Sequence, residues 1–326
     1  SSPRVVERLK RLTGAAIPCE VGSVADAERV RSLIERHDVE AVIHFAAYKA
    51  VGESVDEPLK YYDNNIRGLV RLLYAMDAAR CTHLVFSSSA AVYGSPERVP
   101  ITEDFPRSHT NPYGHTKLVC EDMLNALQAA SPQWRIATLR YFNPAGAHPS
   151  GWIGEDPGGT PNNLIPYVAQ VAIGKRPVLT IHGGDYPTAD GTGIRVYIHV
   201  MDLASGHVAA LDTLLHEERG FTVNLGTGQG HSVLEVVRTF EEVSGREIPY
   251  RLGPRRPGDV HACYADVKRS HTLLGWRAVH SLRDMCTDAL RWQQCNPDGY
   301  ATRDAARWPN VTPARLPRPN PLKQVA

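Results

Sequence analysis

The chain has 326 residues, 42% hydrophobic and 22% charged, with a net charge of +1. That length and composition support one or two domains around a sizeable core, and the near-neutral balance offers no field for nucleic acid or an anionic membrane surface, so small neutral or anionic ligands fit better. Six scattered cysteines without a CxxC pair argue against a zinc knuckle or a disulfide framework, 14 dispersed histidines show no HxxxH or HExxH spacing, and no apolar run is long enough to span a bilayer. No metal is expected, and a soluble protein with reduced thiols in the cytoplasm is.

Strand-like and helix-like segments alternate through the first half. Ala41 to Phe45 reads as an apolar strand, Tyr61 to Ala78 as a helix and Leu84 to Phe86 as a short buried strand. Pro112 sits where a helix begins, and Ile136 to Leu139 reads as a further strand. This alternation predicts an α/β fold, a doubly wound parallel sheet with helices on both faces. From about residue 145 the texture changes to Gly-, Pro- and Asn-rich loops, including His182-Gly183-Gly184-Asp185-Tyr186-Pro187, which suits a smaller lobe closing over a substrate. The expected division is a first domain over 1–145, a second lobe over 146–305 and a disordered, proline-rich and basic tail over 306–326.

The chemistry-bearing pattern is Asn111-Pro112-Tyr113-Gly114-His115-Thr116-Lys117, with Ser89 upstream at the end of the strand Leu84 to Phe86. Tyr113 and Lys117 are spaced i, i+4 and project from one helical face, so the ammonium can lie beside the phenol and favour its ionised form. A free phenol is a poor base at neutral pH, and a neighbouring cation is expected to lower its pKa. The Ser89 hydroxyl would bond the oxygen that the tyrosine deprotonates.

Strand-end serine plus a helical YxxxK resembles the extended short-chain dehydrogenase/reductase family. The match narrows with His44-Phe45-Ala46-Ala47-Tyr48-Lys49-Ala50-Val51-Gly52-Glu53-Ser54, Tyr61-Tyr62-Asp63-Asn64-Asn65, Arg140-Tyr141-Phe142-Asn143-Pro144, Pro161-Asn162-Asn163-Leu164, Tyr197-Ile198-His199-Val200 and Pro254-Arg255-Arg256-Pro257-Gly258-Asp259. In this order, from roughly residue 16 to residue 300, these blocks are similar to the UDP-glucose 4-epimerase family.

The resemblance implies a Rossmann-like cofactor domain, NAD as cofactor and interconversion of UDP-glucose and UDP-galactose through a 4-keto sugar. It implies Ser89, Tyr113 and Lys117 as the catalytic set, with Phe45, Ala46, Ala47, Lys49, Asn65, Tyr113, Lys117 and Tyr141 around NAD. Asn143, Asn163, Leu164, Arg195, Arg256, Asp259 and Cys263 would hold the UDP-sugar, and a homodimer is expected. Cys263 stands where relatives carry either a bulky tyrosine or a small residue beside the sugar 2-substituent, so N-acetylated sugars are expected to be admitted.

Several positions depart from the family pattern. The first strand, GxxGxxG turn and helix that would hold the cofactor pyrophosphate are absent from the sequence, and Gly226-Thr227-Gly228-Gln229-Gly230 lies too far downstream to replace them. A truncated reading frame is the expectation, with weak NAD binding by the chain as it stands. A catalytically silent nucleotide-sugar-binding fragment is the alternative from a different class. Ser23 stands for an aspartate near the adenine, Ala91 for a threonine beside the serine, Val196 for an aspartate expected to orient Arg195, and His182 for an aromatic near the uracil. Ala90 and Ala91 lack the acid that a sugar dehydratase would need beside the serine.

Overall fold

A computed structural model describes residues 2–217, 219–256 and 259–302. The first half runs α1 (Arg4–Thr13), α2 (Ala27–Arg36), β1 (Ala41–His44), α3 (Val51–Asp56), α4 (Pro58–Tyr61), α5 (Gly68–Ala78), β2 (His83–Ser87), α6 (Pro112–Ala130) and β3 (Arg135–Tyr141). The second runs β4 (Pro144–Ala145), α7 (Leu164–Ala172), β5 (Leu179–His182), β6 (Ile194–Val196), β7 (Ile198–His199), α8 (Val200–His216) and β8 (Phe221–Leu225). It continues with β9 (Gly230–Ser232), α9 (Val233–Ser244), β10 (Tyr250–Gly253), β11 (Ala262–Cys263), α10 (Lys268–Leu274) and α11 (Leu282–Cys295).

The main sheet is parallel in the order β1-β2-β3-β8. Parallel strands covered on both faces read as continuous apolar runs, as Leu84-Val85-Phe86 does. Leu84 and Phe86 point toward α5 and α6, packing with Leu69, Leu72, Met76, Cys120 and Leu124. Val85 points the other way, with Ala137 and Leu139, onto Leu203, Ala210 and Leu214 of α8. The strand period of two therefore builds both layers from one short run. At an apolar coefficient of roughly 25 cal/mol/Å², each such fully buried aliphatic side chain contributes about 1.5 to 3 kcal/mol.

The second half is divided between two tasks. Helices α7, α9 and α11 pack with β5 around Val168, Phe240, Met285 and Cys286, a core separate from the main sheet. Strand β8 and helix α8, by contrast, return to the main sheet beside β3. Helix α1 runs the opposite exchange: Arg8 is buried among Trp152, Asn296, Trp292 and Tyr300 of the second half. Contacts thus cross the expected boundary at residue 145 in both directions, because long-range pairing carries no local signature. The tail expected from 306 onward lies outside the described residues.

The expected helix Tyr61 to Ala78 is interrupted by a π-helical turn over Tyr62–Arg67. The wider turn brings Asn65 to the loop after β1, where its amide oxygen accepts from Tyr48 N at 2.8 Å and its amide nitrogen donates to Tyr48 O at 3.0 Å. Single π turns of this kind mark places where a helix has been adjusted to present one residue.

Candidate active site

The ends of β1 and β2 and the start of α6 converge on one crevice, the usual place for a ligand in a doubly wound sheet. Strand β2 ends in Ser87, and the chain continues through Ser88 and Ser89 into a 3-10 turn at Ala90–Val92. Helix α6 begins with Pro112 at its first position, and the Asn111 side chain caps it by accepting from Gly114 N at 2.8 Å. A Cβ at Gly114 would stand 3.0 Å from the Ala91 carbonyl oxygen, so glycine there lets the helix start approach the strand end.

That approach brings the Ser89 hydroxyl close enough to the Tyr113 phenol to act on it. The Lys117 ammonium donates to the Ser87 carbonyl at 2.7 Å and lies over the Phe86 ring, 4.9 Å from its centroid. The Tyr141 phenol bonds the Ser87 hydroxyl. Burial pushes the Tyr113 phenol up to about 12, against the neighbouring Ser89 hydroxyl, which lowers it. Burial pulls Lys117 down to about 8, opposed by Cys120 and Glu121. The expected lowering of the phenol by Lys117 is therefore not met. The ammonium is turned to a backbone carbonyl and an aromatic face, and desolvation dominates.

Two of the expected cofactor residues have polar partners within the chain. Asn65 uses all four of its hydrogen-bonding valences inside the protein: besides Tyr48, its oxygen accepts from Asn64 and its nitrogen donates to Thr116 Oγ1 at 3.0 Å. These bonds anchor the loop after β1 to the π-helical turn. Phe45 and Ala46 are exposed, so simple core packing does not explain them. Lys49 is also exposed, and its ammonium lies 3.5 Å from Glu155 Oε1. The same carboxylate oxygen accepts from Asn163 Nδ2 at 3.1 Å. Glu155 thus joins an expected cofactor residue to an expected substrate residue, and no sequence motif pointed to it.

The remaining substrate candidates form a second cluster. Arg195 donates to Ile194 O and Val260 O, each at 2.9 Å, and reaches Asp259 at 3.4 Å. Arg256 reaches the other oxygen of Asp259 at 3.0 Å. Arg195 is therefore oriented by two carbonyls and Asp259, and the aspartate expected at position 196 is not needed; Val196 is fully buried instead. Cys263 pairs in register with Arg195, half-buried beside Val92, Phe142 and Val196, and burial raises its thiol. Asn143 donates to Val196 O at 2.8 Å, Leu164 opens α7 against its core, and His182 lies 3.3 Å from Pro254 O.

His44, at the end of β1, is buried, and desolvation together with the Lys117 charge lowers it to about 4. Between pH 6.5 and about 4 the unfolded chain therefore binds a proton that the fold refuses, so stability falls as the solution is acidified through that window. Its share is up to about 3 kcal/mol. Urea unfolding at pH 7 and pH 4.5 should show a smaller difference in His44→Gln than in wild type; an equal difference contradicts this assignment.

A parallel α/β sheet whose strand-end serine meets a tyrosine one helical turn from a lysine defines a short-chain dehydrogenase/reductase. The family model described as GDP-mannose 4,6 dehydratase matches residues 4–289. UDP-glucose 4-epimerase of Bacillus subtilis is 54% identical over 304 residues, covering 93% of this chain and 90% of that protein. The UDP-glucose 4-epimerase structure from Stenotrophomonas maltophila, with bound NAD and formylated UDP-arabinopyranose, superposes with a TM-score of 0.90 at 50% identity, covering 91% of this chain and 88% of that one. The Bifidobacterium longum enzyme in complex with NAD+ and UDP gives 0.87 at 48% identity, covering 92% and 89%. The chain belongs to the UDP-glucose 4-epimerase family. No described helix is long and apolar enough to cross a membrane.

A dinucleotide suits the crevice on the chain's own terms. The loop Phe45 to Lys49 leaves the C-terminal end of β1 with an aromatic ring, small side chains and an exposed ammonium, and Lys117 stands at the end of the neighbouring strand.

Proposed function

We propose that this chain interconverts UDP-glucose and UDP-galactose by inverting C4 of the sugar. The observation that carries this reading is the meeting of Ser89 with Tyr113 one turn above Lys117. Tyr113 accepts the proton of the sugar 4-hydroxyl and returns it, Ser89 hydrogen-bonds the same oxygen, and Lys117, one turn along α6, is fixed at the strand end by the Ser87 carbonyl. Bound NAD supplies the hydride acceptor and donor for C4, so the sugar passes through a 4-ketone with no net oxidation. Phe45, Ala46, Ala47, Lys49, Asn65 and Tyr141 line the cofactor side. Arg195 and Arg256, whose guanidinium forks suit a diphosphate, hold the nucleotide with Asn143, Asn163, Leu164 and Asp259.

The division into a cofactor domain over 1–145 and a lobe over 146–305 that mainly binds substrate belongs to this reading, as do a homodimer and a cytoplasmic location; all six cysteines are free thiols, which agrees with the last. Incubation with UDP-glucose and excess NAD should yield UDP-galactose, read by proton NMR of the anomeric signals. Absence of conversion by folded protein that still binds UDP-sugar would overturn the enzyme in favour of a silent binding protein.

Cys263 sets the breadth of the sugar pocket in this reading. A cysteine leaves the space that an acetamido group needs, and a tyrosine ring would fill it at a cost of about 1 to 3 kcal/mol. UDP-GlcNAc and UDP-GalNAc should therefore interconvert, and Cys263→Tyr should lower that activity roughly 5- to 150-fold more than the UDP-glucose reaction. Equal losses on both sugars would remove Cys263 from the specificity argument.

A further inference from the structure

Three consecutive serines close β2, and each one grips a different turn of α6. Tyr113, Lys117 and Glu121 are spaced i, i+4, i+8 and share one helical face. Ser89 faces Tyr113, the Ser87 carbonyl takes the Lys117 ammonium at 2.7 Å, and the Ser88 hydroxyl donates to Glu121 Oε1 at 2.5 Å. The first two contacts belong to the site already described. The third involves a buried carboxylate that the reaction scheme leaves without a task.

Burying a carboxylate is costly unless its lone pairs are all engaged. Glu121 meets that condition. Arg140, from β3, donates to Oε1 through Nε at 2.9 Å and to Oε2 through Nη2 at 2.6 Å. Arg107, from the loop before α6, reaches Oε2 at 3.2 Å. The arginine is itself fixed, donating from Nη1 to Tyr93 Oη and Glu103 O, each at 2.9 Å. Ser88 is held from the other side by its own N–H, which donates to Leu139 O of β3 at 2.9 Å. The segment that carries Ser89 is thus clamped between β3 and α6 one residue before the reacting hydroxyl.

We propose that Glu121 is a positioning residue for the epimerisation: through Ser88 it fixes Ser89 against the helix that carries Tyr113, and it provides the counter-charge for Lys117. The proposal rests on the epimerase reading given above. The groups facing Lys117 are His44 from β1, the Phe86 ring and Ser87 carbonyl from β2, and Cys120 and Glu121 from its own helix. Facing Glu121 are Arg140, Arg107, Ser88 and Tyr93. Cys120 is pushed up to about 12 by burial and stays a neutral thiol at physiological pH, and His44 is neutral there too. That leaves Glu121, one helical turn along α6, as the carboxylate whose field opposes the desolvation of Lys117.

Glu121→Gln retains the volume and an acceptor for Ser88 but removes the charge. The alkaline limb of its kcat profile should move down by about one pH unit. Its kcat at pH 8 should fall roughly fivefold, with KM for UDP-glucose within about twofold of wild type. The 13Cε resonance of Lys117, assigned by its loss in Lys117→Met, should titrate lower by the same amount in cofactor-free protein. Ser88→Ala cuts the tether alone and should lower kcat without moving the limb. If Glu121→Gln does not fold, the neutral pair Glu121→Gln/Arg140→Met serves in its place, with the same shift expected. A wild-type pH limb and a wild-type Lys117 titration in the variant would overturn the proposal. If wild type does not epimerise at all, the epimerase reading falls, and the Lys117 resonance alone decides whether Glu121 supplies the counter-charge.

Discussion

Tyr113→Phe should lower the turnover of UDP-glucose at least about a hundredfold, because the acceptor of the 4-hydroxyl proton is removed while the ring that fills the space remains. Ser89, the hydroxyl facing the phenol, keeps its bond from Ala91 N at 3.2 Å when the phenol oxygen is lost, so the fold should be little affected. The pH dependence follows from the two groups together. Burial holds the phenol near 12 and the Lys117 ammonium near 8, so the lysine loses its charge before the tyrosine ionises unaided. Wild-type kcat should decline above about pH 8 as Lys117 deprotonates and its charged hold on the Ser87 carbonyl, two residues before Ser89, is weakened. Product formation at saturating UDP-glucose and excess NAD, with circular dichroism as the check on folding, measures both points. Unchanged turnover in Tyr113→Phe would sink the catalytic assignment.

Local signals were legible in the sequence where one segment carries its own instruction. Leu84-Val85-Phe86 announces a strand buried on two faces, and Asn111-Pro112 announces the start of α6, so Ser89, Tyr113 and Lys117 could be set on a strand end and a helix. The π turn at Tyr62–Arg67 gives no such signal, since its sequence continues the periodicity of an ordinary helix; the bonds of the Asn65 amide to Tyr48 and Thr116 are visible only in the fold. Glu121 on a helix and Arg140 in a strand each resemble ordinary polar positions, and only the packing of α6 on β3 reveals them as one buried pair. The same holds for Arg195. Its orientation comes from Val260 O and Asp259, more than sixty residues away, where no neighbouring aspartate is required.

Arg140→Met should cost about 3 to 5 kcal/mol of stability, because it strands the Glu121 carboxylate in the space between α6 and β3. Both partners are buried, Arg140 5% and Glu121 2% exposed, so water cannot take over the lost bonds without opening the interface. Arg107 and Ser88 remain as partners of Glu121, which favours the lower end of that range. The damage also spreads, since Arg140 holds the Tyr93 hydroxyl and the Glu103 carbonyl, and Tyr93 donates in turn to Asn224 of β8 at 2.7 Å. A double replacement Arg140→Met/Glu121→Leu removes both charges and should recover most of the loss, since a well-packed apolar pair is often as stable as a buried ion pair. Urea unfolding with an unchanged m-value gives the comparison directly. The recovered variant should nevertheless remain impaired in turnover, because Ser88 no longer has a carboxylate to hold it beside Ser89. A single-mutant loss below about 1 kcal/mol would mean that the pair is relaxed by solvent, and the clamp on the strand end would lose its foundation.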